Sequence, residues 1–226
     1  TGVRAINLPL DNTDALIDVS VISQAQEVML TTAEGQAIKF NSDEVRDMGR
    51  ASYGVTGVKL EKGDEVVSLV VVDKNSKDES VLTVTKDGYG KRSLIEDYRL
   101  TGRACKGVIN LKITGKNGKV IRTVSVMNHD QIIVTTEKGI MIKTPVKDIR
   151  VMGRATQGVR IIKLADNDKV ADVAKLTKEE EIETFLKAGN IPFRKYPDAD
   201  LPSAVADLLA QEKVIGWFSG RMEFGP

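Results

Sequence analysis

Basic side chains recur in this chain with a long, regular period. Arg46, Arg99 and Arg150 stand 53 and 51 residues apart, and Arg50, Arg103 and Arg154 follow them at the same intervals. Lys39, Arg92 and Lys143 form a third series, and Lys59, Lys112 and Lys163 a fourth. Guanidinium and ammonium groups repeated at equivalent places are suited to neutralising the phosphates of a polyanion. Residues for bond-making chemistry are scarce. His129 is the only histidine, so a histidine pair for a metal is unavailable; it sits in Asn128-His-Asp, which reads as a turn. Cys105 is the only cysteine and fills a slot held by Ser52 and Thr156 in parallel stretches, which marks a tolerated small residue rather than a nucleophile. The cluster Asp73, Asp78 and Glu79 reads as a solvated loop, and Asn167-Asp168 as a turn. No phosphate-cradling glycine loop is present. We expect no catalytic residue, no metal site and no cofactor.

The composition sets the outer bounds. With 226 residues, 41% hydrophobic and 29% charged, the chain is ordinary for a globular protein, which excludes a disordered polymer, a collagen and a disulfide scaffold. No apolar run approaches the roughly 18 residues of a membrane span. Residues 1–10 lack the basic and apolar parts of a signal peptide. A single cysteine fits a reducing, cytoplasmic setting. Because the first residue is Thr1, the chain reads as a fragment. Residues 1–176 hold 27 basic and 23 acidic residues, a sum of +4, whereas 177–226 sum to −3. The first part has four aromatics and two prolines; the last fifty residues have six aromatics and four prolines. Two pieces, 1–176 and 177–226, are expected.

Self-similarity organises the first piece. The pattern R-x-x-G-R-A-x-x-G-V occurs at 46–55, 99–108 and 150–159, and Gly2-Val3 begins the chain 52 residues before Gly54 in the same register. A period near fifty with strand-like content predicts blades of a propeller-type array. Each unit shows a first strand (15–22, 65–72, 120–126), then a second strand. A tight hairpin at Gly35, Gly88 or Gly139 leads to a third strand (37–40, 90–95, 140–146). The R-x-x-G-R-A connector and a last strand (55–60, 108–113, 159–164) complete it. Residues 2–8 and 169–176 read as leading and trailing strands. Four strands per unit make one blade, so the expected fold is all-β, with about three four-stranded blades in an incomplete ring.

In a radial array, equivalent positions fall at equivalent places on the rim, so periodic charge becomes a curved band. Such a band suits a bent phosphate backbone. Bending a 20–30 bp duplex costs on the order of 1–6 kcal/mol, which contacts spread over an arc can offset. Backbone contacts carry no base information, so binding should be salt-sensitive and sequence-neutral. The candidate DNA contacts are Lys39, Arg46, Arg50, Lys91, Arg92, Arg99, Arg103, Lys106, Lys143, Arg150 and Arg154. Two readings of Arg50, Arg103 and Arg154 stand side by side: bonds to carbonyls of a neighbouring blade, or contacts to phosphate. Lys39, Arg92 and Lys143 flank the hairpin and are expected at its exposed side. Lys59, Lys112 and Lys163 alternate with apolar residues and read as a solvated strand face. Tyr53 and Tyr89 read as packing residues, because four aromatics in 176 residues are too few for a single-strand binder.

The three motif copies resemble the C-terminal domain of the DNA gyrase A subunit, and less closely that of topoisomerase IV. The most specific stretches are Asp87-Gly-Tyr-Gly-Lys-Arg92, Gly102-Arg-Ala-Cys-Lys-Gly-Val108 and Asp130-Gln-Ile. The resemblance covers residues 1–176. It implies a β-pinwheel whose neighbouring blades exchange strands, with six blades in a full ring. It also implies a module that wraps duplex DNA for a type II topoisomerase and is not itself the catalyst. Its partners would be double-stranded DNA, the ATPase subunit, and the rest of the gyrase A polypeptide, with no membrane. The cleaving tyrosine and the ATPase lie elsewhere in that family. The family's glycine- and arginine-rich box, tied to a strong wrap, does not occur in this chain.

The tail reads differently. Thr177-Lys-Glu-Glu180 is a capping box, followed by an apolar stripe at Ile182, Phe185 and Leu186. A second helix is expected at 204–211 and a strand at 214–218. The ending Gly216-Trp-Phe-Ser-Gly-Arg-Met-Glu-Phe-Gly-Pro226 resembles the C-terminal domain of nodulation-type carbamoyltransferases over 179–226. That resemblance implies a truncated α/β segment in which Arg221 and Glu223 contact a phosphorylated or carbamoyl substrate in an intact enzyme. A carbamoyltransferase fragment and a propeller-like protein-interaction scaffold are the two alternatives to DNA wrapping.

Overall fold

A computed structural model of the protein describes residues 6–8, 14–23, 26–73, 76, 78–176 and positions 187, 200 and 203. The chain divides into two compact units, Thr1–Lys175 and Leu176–Pro226. The helices, strand and substrate contacts expected in the tail lie outside the described residues.

Most strands form where β-branched residues cluster between glycine turns, although Tyr89–Leu94 has none. They are β1 (Gln26–Thr32), β2 (Gln36–Asn41), β3 (Val66–Asp73), β4 (Ser80–Thr85), β5 (Tyr89–Leu94), β6 (Val108–Ile109), β7 (Val120–Val126), β8 (Gln131–Thr136), β9 (Met141–Pro145), β10 (Val159–Arg160) and β11 (Val170–Leu176). Hairpins β1–β2, β4–β5 and β8–β9 turn at Gly35, Gly88 and Gly139, where φ is near +80°. Each turn has a further lock. Thr32, Thr85 and Thr136, three residues before the glycine, each accept at Oγ1 the amide one residue after it, at 3.2 Å. This threonine recurs in register in the sequence, beside the hairpin glycines that mark the turn.

The sheets correct the one-unit, one-blade expectation. Their orders are β3-β1-β2-β6, β10-β5-β4-β7 and β11-β8-β9. Each blade is therefore the hairpin of one unit flanked by the first and last strands of the next. Blade 1 takes β3 and β6 from unit 2; blade 2 takes β7 and β10 from unit 3. Among the described residues blade 3 holds three strands rather than four. Residues 15–22, read as a first strand, join no ladder among the described residues. Residues 55–60 carry the isolated parallel bridge Val58–Cys105 and no ladder among the described residues. The last strands are two residues long, not six, because the chain then turns over the hairpin tip: Asn110 N and Leu111 N both donate to Gly35 O, and Ile161 N and Ile162 N to Gly88 O.

Both faces of β4 are covered, so all six of its residues are buried, whereas β8 of blade 3 alternates between buried and partly exposed positions. Met29, Ala37, Val70 and Val72 of blade 1 pack on Val81 and Tyr98 of unit 2. Leu82, Val84 and Val126 of blade 2 pack on Ile132, Val134 and Val173 of blade 3. A buried polar thread also crosses between blades 1 and 2. Thr31, Thr123 and Thr83 are linked through their hydroxyls at 3.1 and 3.4 Å, Thr83 joins Asn110, and Tyr98 donates to Asn110 Oδ1 at 2.5 Å. Mutual pairing keeps these buried groups from an unmet desolvation cost. Burial pushes the Tyr98 phenol well above the usual range.

Candidate nucleic-acid interface

The connector of each unit is strapped onto the unit before it. Thr101 N donates to Lys39 O at 2.7 Å, and Met152 N to Arg92 O at 2.8 Å. Behind this strap, Lys59 N donates to Cys105 O and Lys112 N to Thr156 O, both at 2.9 Å. Asn7 N donates to Ser52 O at 3.1 Å in the same repeat position, so the register read from Gly2-Val3 has a structural counterpart.

This strapping sorts the basic series. Of the two readings for the second series, the carbonyl-bonding one is seen at Arg103 and Arg154. Arg103 donates to Glu44 O and Thr56 O, both at 3.1 Å, and Arg154 donates to Ile109 O at 3.0 Å. Thr56 and Ile109 are equivalent, each two residues after the motif glycine. Arg50 is exposed and makes no such bond among the described residues.

The third series does not form a band. Lys39 is buried, with Nζ 2.9 Å from the Glu27 carboxylate. Arg92 is buried as well: Nη1 donates to Asn128 Oδ1 at 3.1 Å, Nε has no partner, and burial lowers its pKa. Only Lys143 is exposed. The expectation of an exposed hairpin flank fails because the next unit's connector lies over that flank in blades 1 and 2. Lys91 is fully buried and ties blade 2 to the third connector, donating to Ser93 Oγ at 2.7 Å, Gly153 O at 3.1 Å and Arg154 O at 2.5 Å. Burial lowers its pKa to about 7, against the opposing pull of Asp97. Lys91 is thus a structural tie rather than a surface contact. Lys106 is exposed and pairs with exposed Glu61 at 2.7 Å, an arrangement worth little in water.

What stays outside and unpaired is the first series. Each arginine follows a single 3₁₀ turn at Ser42–Glu44, Ile95–Asp97 or Val146–Asp148, closed by the amide of Val45, Tyr98 or Ile149. Arg46, Arg99 and Arg150 therefore leave the same place in three units. All three are exposed and make no ion pair or hydrogen bond among the described residues. Lys59, Lys112 and Lys163 are exposed too. The connector that carries Arg99 is bonded to Lys59, and the one that carries Arg150 to Lys112, so these four residues share the strapped layer. In the sequence the fourth series is periodic but reads only as a solvated face. Arg160, also exposed, stacks 5.5 Å over the Tyr89 ring and donates to its hydroxyl at 3.1 Å. Among the described residues no group of histidine, cysteine, aspartate or glutamate could hold a metal, and no helix is long and apolar enough to cross a membrane.

Hairpins completed by the next unit's outer strands define a propeller assembled by strand exchange. The family model described as DNA gyrase C-terminal domain, beta-propeller, matches residues 26–73, 79–126 and 130–182, and the chain belongs to that family. Each matched segment starts at a hairpin and runs through the first strand of the next unit, which is the blade rather than the sequence unit. The chain is 45% identical over 174 residues to the DNA gyrase A protein of Buchnera aphidicola, covering 77% of this chain and 20% of the relative. It is 41% identical over 183 residues to the DNA gyrase A protein of Escherichia coli K12, covering 80% and 21%. It thus spans about a fifth of the length of the curated relatives it matches. The solved C-terminal domain of DNA topoisomerase IV superposes with a TM-score of 0.73 at 30% identity, covering 82% of this chain and 57% of that one. For the DNA gyrase A C-terminal domain the values are 0.70, 28%, 77% and 58%.

Proposed function

We propose that this chain is a non-catalytic DNA-binding and DNA-wrapping module of a type II topoisomerase, part of a gyrase A protein, working in the cytoplasm. It holds duplex DNA against the strapped layer of its blades. The observation that carries this reading is the exposed, internally unpaired arginine at the head of each connector: Arg46, Arg99 and Arg150. Three such cations at one repeat position, with Lys59 and Lys112 bonded into the same layer, suit a backbone that passes from blade to blade. The buried cations Lys39, Lys91 and Arg92 take no part. Family membership supports a role beside the ATPase subunit, which would supply energy, and the remainder of the gyrase A polypeptide, which would supply cleavage.

A gel shift with mixed-sequence duplex at two ionic strengths tests the reading. Affinity should fall steeply with salt and change little with base sequence. Binding that is absent, or indifferent to salt, would favour a protein-interaction scaffold instead.

A further inference from the structure

Arg160 joins two properties that the other described arginines show apart. Arg46, Arg99 and Arg150 are exposed but held by nothing among the described residues. Arg103 and Arg154 are held but only half exposed, turned to carbonyls of the preceding unit. Arg160 is exposed and also held. Its guanidinium carbon lies 5.5 Å from the centre of the Tyr89 ring, and Nη2 donates to the Tyr89 hydroxyl at 3.1 Å. One aromatic side chain thus grips the cation on its face and at one N–H. The remaining N–H groups have no partner among the described residues, a carboxylate included.

Both backbones under this pair are fixed. Tyr89 is the first residue of β5; its amide donates to Thr85 Oγ1 and its carbonyl accepts from the same hydroxyl, both at 3.2 Å. Arg160 faces it from β10, with Val159 opposite Gly90 before it. After it, Ile161 N and Ile162 N donate to Gly88 O at 2.9 and 3.2 Å. The contact is a cross-strand pair inside a complete blade junction, not a meeting of two mobile side chains. Blade 1 places Gln36 opposite Ile109 at the same two positions and has no such pair. A charge that appears in one blade alone escapes a reading based on repeated charge, which is why the sequence marks Tyr89 only as a packing residue.

We propose, resting on the DNA-binding reading above, that Arg160 is a further phosphate contact on blade 2 and that Tyr89 is the residue that positions it. A free arginine loses rotamer freedom when it grips a phosphate; one already laid against a ring and tied at Nη2 has less to lose. The open N–H groups of a guanidinium form a planar fork that matches two phosphate oxygens. Blade 2 thereby gains a contact that blade 1 lacks, because the exposed Ile109 stands there in the place of Arg160.

Affinity for mixed-sequence duplex and its salt dependence, measured on the 226-residue chain, test this pair. Arg160→Ala should weaken binding about tenfold and make the slope of log affinity against log salt less steep by about 0.9. Tyr89→Phe keeps the ring and every charge, so the slope should stay while affinity falls about fivefold with the lost hydrogen bond. Arg160→Lys should keep the slope without recovering the affinity. In an Arg160→Ala background, Tyr89→Phe should change affinity by less than about twofold, because the residue it positions is gone. Circular dichroism should be the same for every variant. Arg160→Ala with the unaltered slope overturns the proposal. So does Tyr89→Phe that has no effect, or that weakens binding equally with and without Arg160. An unaltered chain that binds no duplex overturns the DNA-binding reading as well.

Discussion

Blades 1 and 2 differ from blade 3 in one respect, the last strand and connector of a following unit, and that single difference changes the meaning of the same repeat position. Four residues after the hairpin glycine, Lys39 and Arg92 are buried beneath a connector, while Lys143 is exposed. One residue class in one register therefore gives a core ion pair, a core hydrogen bond and a surface cation. The lesson is that in a strand-exchanged repeat the burial of a side chain is set by the unit after it. Charge that recurs in sequence becomes surface charge where no later unit covers it, as with Arg46, Arg99 and Arg150 on the strap itself.

The sharpest way to break this comparison is to remove the same charge in two blades. Lys39→Met strands the Glu27 carboxylate in a site where both side chains are about nine-tenths covered. The expected loss is about 3 kcal/mol of unfolding free energy. Lys143→Met should stay within about 0.5 kcal/mol. Equal effects in urea titration would mean that blade 3 is covered as blade 1 is. A smaller difference comes from the hairpin glycines. Gly35→Ala and Gly139→Ala share the positive-φ penalty, but only the first drives a methyl into Leu111 O. In urea titration the first should cost about 1–3 kcal/mol more than the second.

The local features are legible in the sequence. The hairpins at Gly35, Gly88 and Gly139 and the glycine-valine steps are set by residues within a few positions of each other, and all stand where the repeat puts them. The strand exchange is not legible from the pattern, because Val108 pairs with Ala37 across 71 residues and no local signal names that partner. The family resemblance implies exchange, and the sheet orders identify the strands that move. The site is half legible. Ile38-Lys39-Phe40 alternates as a half-solvated strand would, yet a strap covers the polar side as well. Arg103 and Arg154 carry two readings in the sequence, and only their carbonyl partners decide between them. Lys59 and Lys112 look like any solvated lysines, and only the bond of each backbone amide to the connector layer distinguishes them.

The claim at the centre is that strap-borne arginines, not hairpin-flanking cations, meet the phosphates. The most direct measurement is the slope of log affinity against log salt for duplex binding, compared between the unaltered chain and Arg46→Ala/Arg99→Ala/Arg150→Ala. Each lost phosphate contact should remove about 0.9 from the slope, so the triple variant should be less steep by about 2.7. An unchanged slope with unchanged affinity would contradict the account.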